Sequence, residues 1–359
     1  MNNHEQNIQP LQNEAVDLLR KLISTPSFSK EEHETAVILE EYLQSKGVES
    51  IRYMNNVWAK NKFFDANKPS VLLNSHHDTV KPNKAYTLNP FLPFENDGKL
   101  FGLGSNDAGG CLVSLLAVFL YFYEKENLPY NIVFAATAEE EISGINGIEV
   151  LLFQLPKIAF GIVGEPTQMQ MAIAERGLLV LDVTATGKAG HAAREEGENA
   201  LYKALPDIEW FRNFVFEKNS DLLGKVKMTV TVIDTENRAH NVVPSQCHFV
   251  VDVRVNELYS FEEVLQTIQA HVKSEVVPRS LRMRSTSIEL DHPLIKSGLS
   301  LGRTYYGSPT TSDKALMPFR TLKMGPGDSA RSHTADEYIY IDVIHKGIEL
   351  YIQLLKNIL

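Results

Sequence analysis

Five short stretches of this 359-residue chain gather the side chain types that ligate metals or move protons. They are "SHHDTV" with His76, His77 and Asp78, "FGLGSNDAGG" with Asp107, "TAEEEISG" with Glu139, Glu140 and Glu141, "VGEPT" with Glu165, and "SHTADEY" with His333. Side chains alternate faces along a strand, so His76 and Asp78 share a side and His77 points away. A histidine ring oriented by a carboxylate is a common metal-site arrangement. Taken singly, each stretch has a plainer role. A lone buried histidine usually just finds hydrogen bonds. Asp107 suits a helix N-cap, and three adjacent glutamates suit a helix start, where negative charge is favoured. Glu165 reads as a loop carboxylate and His333 as a surface histidine. The glycines around Asp107 do not make a dinucleotide loop. From Gly102 and Gly104 the third glycine belongs at position 107, and the lysine of a phosphate loop is missing.

The elements that carry these stretches argue for reading them together. "SVLLNSHHD", "NIVFAATAEEE", "IAFGIVGEP" and "FRTLKMGPG" are short apolar runs that end in polar or glycine-rich residues. Alternating with helices, they predict a largely parallel sheet covered on both faces, and in such sheets the site lies beyond the carboxyl ends of the strands. Oxygen and imidazole ligands without cysteine suit zinc, manganese or cobalt. Asp107, Glu141 and Glu165 contribute a charge of −3, and a shared hydroxide brings it to −4, which balances two divalent ions. Upstream, Ser29 and Glu32 have capping-box spacing for a helix that Gly47 ends.

The middle of the chain changes character. "GLLVLDVTATG" alternates as a half-exposed strand does, and "NALYKALPDIEWFRNFVF" reads as a helix with Pro206 a break in it. "KVKMTVTVID" and "QCHFVVDVRV" are strands, "SFEEVLQTIQAHVKSEV" is an amphipathic helix opened by Ser260, and "SLRMRSTSIEL" closes the set. The order β-α-β-β-α-β predicts a ferredoxin-like insert over 175–287 in a larger domain made of 1–174 and 288–359.

Bulk properties narrow the function classes. Hydrophobic residues make up 43% and charged residues 22%, and the formal charge is −10 without any lysine- and arginine-dense run, which argues against a nucleic-acid partner. Two cysteines, Cys111 and Cys247, give no disulfide framework and suit a reducing compartment. No basic segment followed by an apolar one marks the first residues as a secretory signal. The apolar run from Cys111 falls short of the ~20 residues of a bilayer span and reads as a core helix. The expectation is a cytoplasmic protein with no membrane partner.

With these residues assembled, the chain resembles the M20 family of metallopeptidases and amidohydrolases, within the acetylornithine deacetylase and succinyl-diaminopimelate desuccinylase group. "SHHDTV", "GLGSNDAGG", "TAEEE", "GEPT", "GKAGH", "NVVP", "DVR" and "SHTADE" stand in the family's order over nearly the whole chain. The resemblance implies an α/β, zinc-peptidase-like catalytic domain with a mostly parallel central sheet and an inserted ferredoxin-like dimerisation (lid) domain, hence a homodimer. It implies two divalent ions, zinc first, with cobalt or manganese as alternatives. His76 and Glu165 would be terminal ligands of one ion, Glu141 and His333 of the other, and Asp107 would bridge both. Asp78 would orient His76, and Glu140 would be the general base that takes a proton from a shared water and returns it to the leaving amine. Many members read Asp-Met-Lys-Gly-Gly where this chain has Asp107-Ala108-Gly109-Gly110. The lysine is not a ligand, so the ligand set is unaffected.

The substrate end follows from the same resemblance. His191 of "GKAGH" matches a histidine that reaches into a partner's site and stabilises the tetrahedral intermediate. Asn241 of "NVVP" and Arg254 of "DVR" would hold the substrate's α-carboxylate, with Arg176 and the backbone at Gly327 as further candidates. Read alone, Asn241 is a turn residue and Arg254 a salt bridge to Asp252 or a solvated strand position. Because His191 lies in the insert and the ligands do not, the two domains are expected to close on substrate, with hinges near Ala174 and Leu290. The implied reaction is metal-dependent hydrolysis of an N-acyl-L-amino acid, first an N-acetyl- or N-succinyl-ornithine or -citrulline of arginine biosynthesis. The alternatives are a lysine-biosynthesis deacylase or succinyl-diaminopimelate desuccinylase, a di- or tripeptidase, and a non-catalytic binding protein on the same fold.

Overall fold

The computed structural model describes residues 8–359. The chain divides into two compact units, one running through Ile173 and resuming over Ile288–Tyr306 and Ser312–Leu359, the other formed by Ala174–Ser287 with Gly307–Thr311. Residues Gly307–Thr311 join the second unit through hydrogen bonds to Arg176: Thr311 Oγ1 donates to the Arg176 carbonyl at 2.9 Å, and Arg176 N to the Ser308 carbonyl at 3.3 Å.

In the first unit the strands Asn131–Thr137, Ser70–His76, Ile158–Val163 and Arg320–Lys323 lie side by side in that order and run parallel. The four apolar runs of the sequence are these four strands. Every residue of Ser70–His76 and Asn131–Thr137 is buried, as a sheet covered on both faces requires. Antiparallel strands Asn56–Lys60 and Ser50–Tyr53 extend one edge. Helix Gly110–Tyr123 is buried over nearly its whole length and packs against Gln9–Ile23 and Ile341–Lys356. With its lead-in turn this segment, Ser105–Tyr123, reaches 19 residues and is long and apolar enough to cross a membrane, yet 83% of its apolar window is buried inside the fold.

The second unit has its own core, with Leu179, Leu181, Phe211, Phe249, Val251 and Phe261 almost fully enclosed. Its sheet is antiparallel, in the order Lys227–Thr235, Gln246–Val255, Gly177–Thr186, Glu275–Pro278. Helices Ala200–Asn213 and Phe261–His271 complete a β-α-β-β-α-β unit in which the first strand lies between the third and the fourth. The Ser260–Glu263 capping box forms in both directions.

Three local expectations are corrected. The closing strand is Glu275–Pro278, not "SLRMRSTSIEL": the helix stops at His271, and the β-branched Val276 and Val277 pair with Val183 and Asp182. Pro206 does not break its helix, which runs on to Asn213; the carbonyl it leaves unpaired is that of exposed Tyr202, within reach of water. Ser29 is no helix cap. The helix begins at His33 with no side-chain cap, and the Ser29 hydroxyl is used elsewhere.

Candidate metal centre

His76, Glu140, Glu141 and Glu165 sit at or just past the ends of strands of the parallel sheet, and Asp107 and His333 come from loops beside them. His76 is the last residue of its strand, Glu140 and Glu141 form a tight turn three residues after Thr137, and Glu165 follows Val163 by two. Asp107 lies in the irregular turn Ser105–Gly109 ahead of helix Gly110–Tyr123, with an extended backbone at φ −118°, ψ 97° and a cis peptide to Ala108. His333 comes from the loop after Arg320–Lys323 and has a left-handed backbone, φ 60°.

These side chains converge as two trios, His76–Asp107–Glu165 and Asp107–Glu141–His333, each with one donor atom per residue within 4.8 Å of the others. His76 Nε2 lies 3.4 Å from Asp107 Oδ1 and 3.9 Å from Glu165 Oε1. His333 Nε2 lies 3.7 Å from Asp107 Oδ2 and 2.9 Å from Glu141 Oε2. Asp107 therefore turns one carboxylate oxygen to each trio. Ligands at ~2.0–2.2 Å from one tetrahedral ion stand roughly 3.3–3.6 Å apart, a range that these spacings of 2.9 to 3.9 Å bracket. His76 Nε2 is buried and has no hydrogen-bond partner. A buried imidazole nitrogen without a partner is costly, and a divalent ion between it and two carboxylates relieves that cost. The residues present thus fit a pair of divalent ions.

Electrostatics point the same way. Burial lowers the His76 pKa, but the Asp107 and Asp78 carboxylates more than offset it, so the ring is held well above its ordinary value. Burial and the Glu165 charge push Glu140 well above the usual carboxylate range. The hydrogen bond to Glu141 raises His333 to about 9. Carboxylates so crowded need positive charge among them.

The residues around the trios fix their geometry. His76 Nδ1 is 2.9 Å from the Asp78 carbonyl and 3.4 Å from Oδ1, so the backbone of Asp78 orients the ring more closely than its carboxylate does. That carboxylate instead accepts the backbone N–H groups of Glu140 at 3.0 Å and Glu141 at 3.2 Å and the Ser29 hydroxyl at 2.7 Å. It joins the His76 strand to the Glu140–Glu141 turn. Buried Glu32 accepts Glu139 N at 3.1 Å and Asn55 Nδ2 at 2.8 Å. Glu139 turns away to Asn146. Glu337, also buried, accepts the N–H groups of Gly104, Asn106 and Asp107 and so shapes the turn that presents Asp107; burial, then the Asp107 charge, lift it to about 8. Ser29, Glu32 and Glu337 went unread as site residues, although Glu337 stands inside "SHTADEY". His77 points away, as alternation requires: Nδ1 meets Thr35 Oγ1 at 2.9 Å and Nε2 the Asn55 carbonyl at 2.8 Å, and burial lowers it to about 4.

The second unit holds the other candidates. Gly190–His191 pairs with Val242–Val243, and Ala192 N donates to the Asn241 carbonyl at 2.9 Å, so His191 and Asn241 share one exposed two-stranded ribbon. His191 Nδ1 accepts Ala193 N–H at 3.1 Å, which leaves the proton of the neutral ring on Nε2. Arg254 makes a bidentate pair with Asp252 at 2.8 and 3.0 Å. The Arg176 guanidinium is spent on the Leu223 carbonyl, with Nε at 3.0 Å. In the first unit Gly327 has φ +97°, and a Cβ there would meet Asn106 Oδ1 at 2.6 Å.

Residues 72–357 match the model of peptidase family M20/M25/M40. The chain belongs to this family. As a member it is a metal-dependent hydrolase of amide bonds. A succinyl-diaminopimelate desuccinylase of Wolbachia pipientis subsp. Culex pipiens is 25% identical over 374 residues, spanning 95% of this chain and 92% of that protein. The aminopeptidase PepT of Bacillus cereus superposes with a TM-score of 0.76 at 18% identity, over 97% of this chain and 98% of that one. The YXEP protein of Bacillus subtilis, described as a dinuclear metal-binding peptidase of the M20 family, superposes with a TM-score of 0.71 at 15% identity, over 96% and 98%. These superpositions establish the fold: mixed α/β with a central, mostly parallel sheet.

Proposed function

We propose that this M20 protein is a two-metal N-acyl-L-amino-acid deacylase that releases a carboxylic acid and a free α-amine. The observation that carries this reading is Asp107, which offers one oxygen to each of two ligand trios. In it, His76 and Glu165 would hold one divalent ion and Glu141 and His333 the other, with Asp107 available to both. When bound, such ions supply Lewis acidity, which lowers the pKa of a water and polarises the substrate carbonyl. Glu140 stands beside them, with Oε2 at 4.0 Å from His76 Nε2. It takes the proton of the attacking water and delivers it to the amine as the C–N bond breaks. Asp78 holds the backbone of Glu140 in place.

The inserted unit supplies the substrate end. His191 presents an Nε2–H donor suited to a developing oxyanion. Asn241 and Arg254 take the α-carboxylate, with Arg254 exchanging its Asp252 partner for the ligand, while Arg176 and the Gly327 backbone are secondary contacts. We place the enzyme in the cytoplasm as a homodimer joined through the inserted unit, with zinc as the first choice of metal. Two buried, unpaired cysteines suit that compartment.

The motif resemblance favours an acetyl- or succinyl-ornithine or -citrulline as substrate and arginine biosynthesis as the setting. A second reading, N-succinyl-diaminopimelate in lysine biosynthesis, is favoured by the name of the Wolbachia relative. Hydrolysis rates on acetyl- and succinyl-ornithine, -citrulline, -lysine and -diaminopimelate, measured with zinc-loaded protein, separate the two. A preference for unblocked di- or tripeptides over every member of the panel overturns the deacylase reading.

A further inference from the structure

A cavity of about 570 Å³ opens in the first unit between the C-terminal helix Ile341–Lys356, the segment at Gln168–Met169 and the loop Gly327–Arg331. Neither Glu140 nor any of the five candidate ligands lines it. Its size is that of a small-molecule site, ~300–1,000 Å³. Met169, Val343 and Leu350 give it apolar walls, and Arg303, Arg331, Lys346, Asp328 and Glu349 also line it.

The charges are unequally committed. Asp328 Oδ1 accepts Ala330 N at 3.0 Å, and Glu349 Oε1 accepts Gln12 Nε2 at 2.9 Å. Lys346 pairs with Asp342 at 2.8 Å. Among the described residues neither arginine has an ion-pair partner. Arg331 lies with its guanidinium carbon 4.5 Å above the Tyr338 ring, which supports its face and leaves its N–H edge for hydrogen bonding. Arg303 Nε is buried with no hydrogen-bond partner. A buried guanidinium N–H without an acceptor is destabilising, and the planar fork matches a carboxylate or phosphate.

We propose that this cavity is a second binding site, for a small organic anion whose carboxylate or phosphate is held by Arg303 and Arg331 and whose apolar body rests on Met169, Val343 and Leu350. Gly327 forms part of its wall, so the anion has two conceivable sources: a separate metabolite, or a substrate reaching past the Gly327 turn. The proposal is the former.

The test is calorimetric titration of metal-loaded protein with naphthalene-1-sulfonate, an anion on an apolar body. One saturable site per chain is expected. Arg303→Gln and Arg331→Gln should each weaken it about tenfold or more, the usual size of a lost charge-assisted contact, with a native circular-dichroism spectrum and basal hydrolysis of the best panel substrate unchanged. Saturating substrate, added to the Glu140→Gln variant, should leave the probe bound. Absence of saturable binding, binding indifferent to both substitutions, or displacement by substrate overturns the separate site. Because binding is read directly, failure of the deacylase reading would leave the outcome interpretable.

Discussion

At the scale of single residues, adjacent carboxylates have separate tasks. Glu141 faces His333, Glu139 turns away to Asn146, and Glu140 stands between with its oxygen near His76. Glu140→Gln should therefore retain metal, measured by elemental analysis, while kcat falls ~10²–10⁴-fold, the usual contribution of a general acid–base. Asp107→Ala, which removes an oxygen from both trios, should lose metal and turnover together. His77 invites attention in the sequence but is tied to Thr35 and Asn55. His77→Ala should keep full metal content and lower stability by about 1–3 kcal/mol in denaturant titration, the range for stranding buried hydrogen-bond partners.

At the scale of elements, the four strands carrying the site were legible because continuous apolar runs ending in polar residues admit few other folds. His76, Glu140, Glu141 and Glu165 stood out because each follows such a run with a charge or an imidazole, whereas Asp107 and His333 stand in glycine-rich or polar loops and were legible only with the other motifs. Residues that act through the backbone were not legible. Ser29 has the spacing of a cap, and only the approach of Asp78, 49 residues away in the chain, shows its actual partner. Likewise the strand Glu275–Pro278 was hidden in an apparent helix, since local pattern does not reveal that the Gly177–Thr186 strand offers a free edge. Glu337 is the clearest case: three N–H groups of the Asp107 turn converge on one carboxylate whose sequence gives no sign of it. Glu337→Gln puts an amide N–H where acceptors are needed. It should weaken metal binding ~10–100-fold, as loss of an orienting partner does, a change visible in competition with a chromogenic chelator.

At the scale of the whole molecule, two units with separate cores should respond differently to metal. Asp107, Glu140, Glu141 and Glu165 crowd together in the first unit alone, within a chain of formal charge −10. Stripping metal should lower the unfolding temperature of the first unit and leave the transition of the second in place, as followed by calorimetry with and without chelator. With free metal at a hundred times its dissociation constant the difference amounts to ~2.7 kcal/mol. The two trios also face water unequally. The His76 side chain is 1% exposed, whereas that of His333 is 55% exposed, on a loop residue of left-handed backbone. A chelator would therefore reach an ion held by exposed His333 more readily than one held by buried His76. Exchange should accordingly be biphasic: one equivalent leaves quickly and the second slowly, and His333→Ala should abolish the slow-to-fast contrast by removing the labile equivalent altogether. A single-rate release of both ions in stopped-flow chelation would mean that the two positions empty as one.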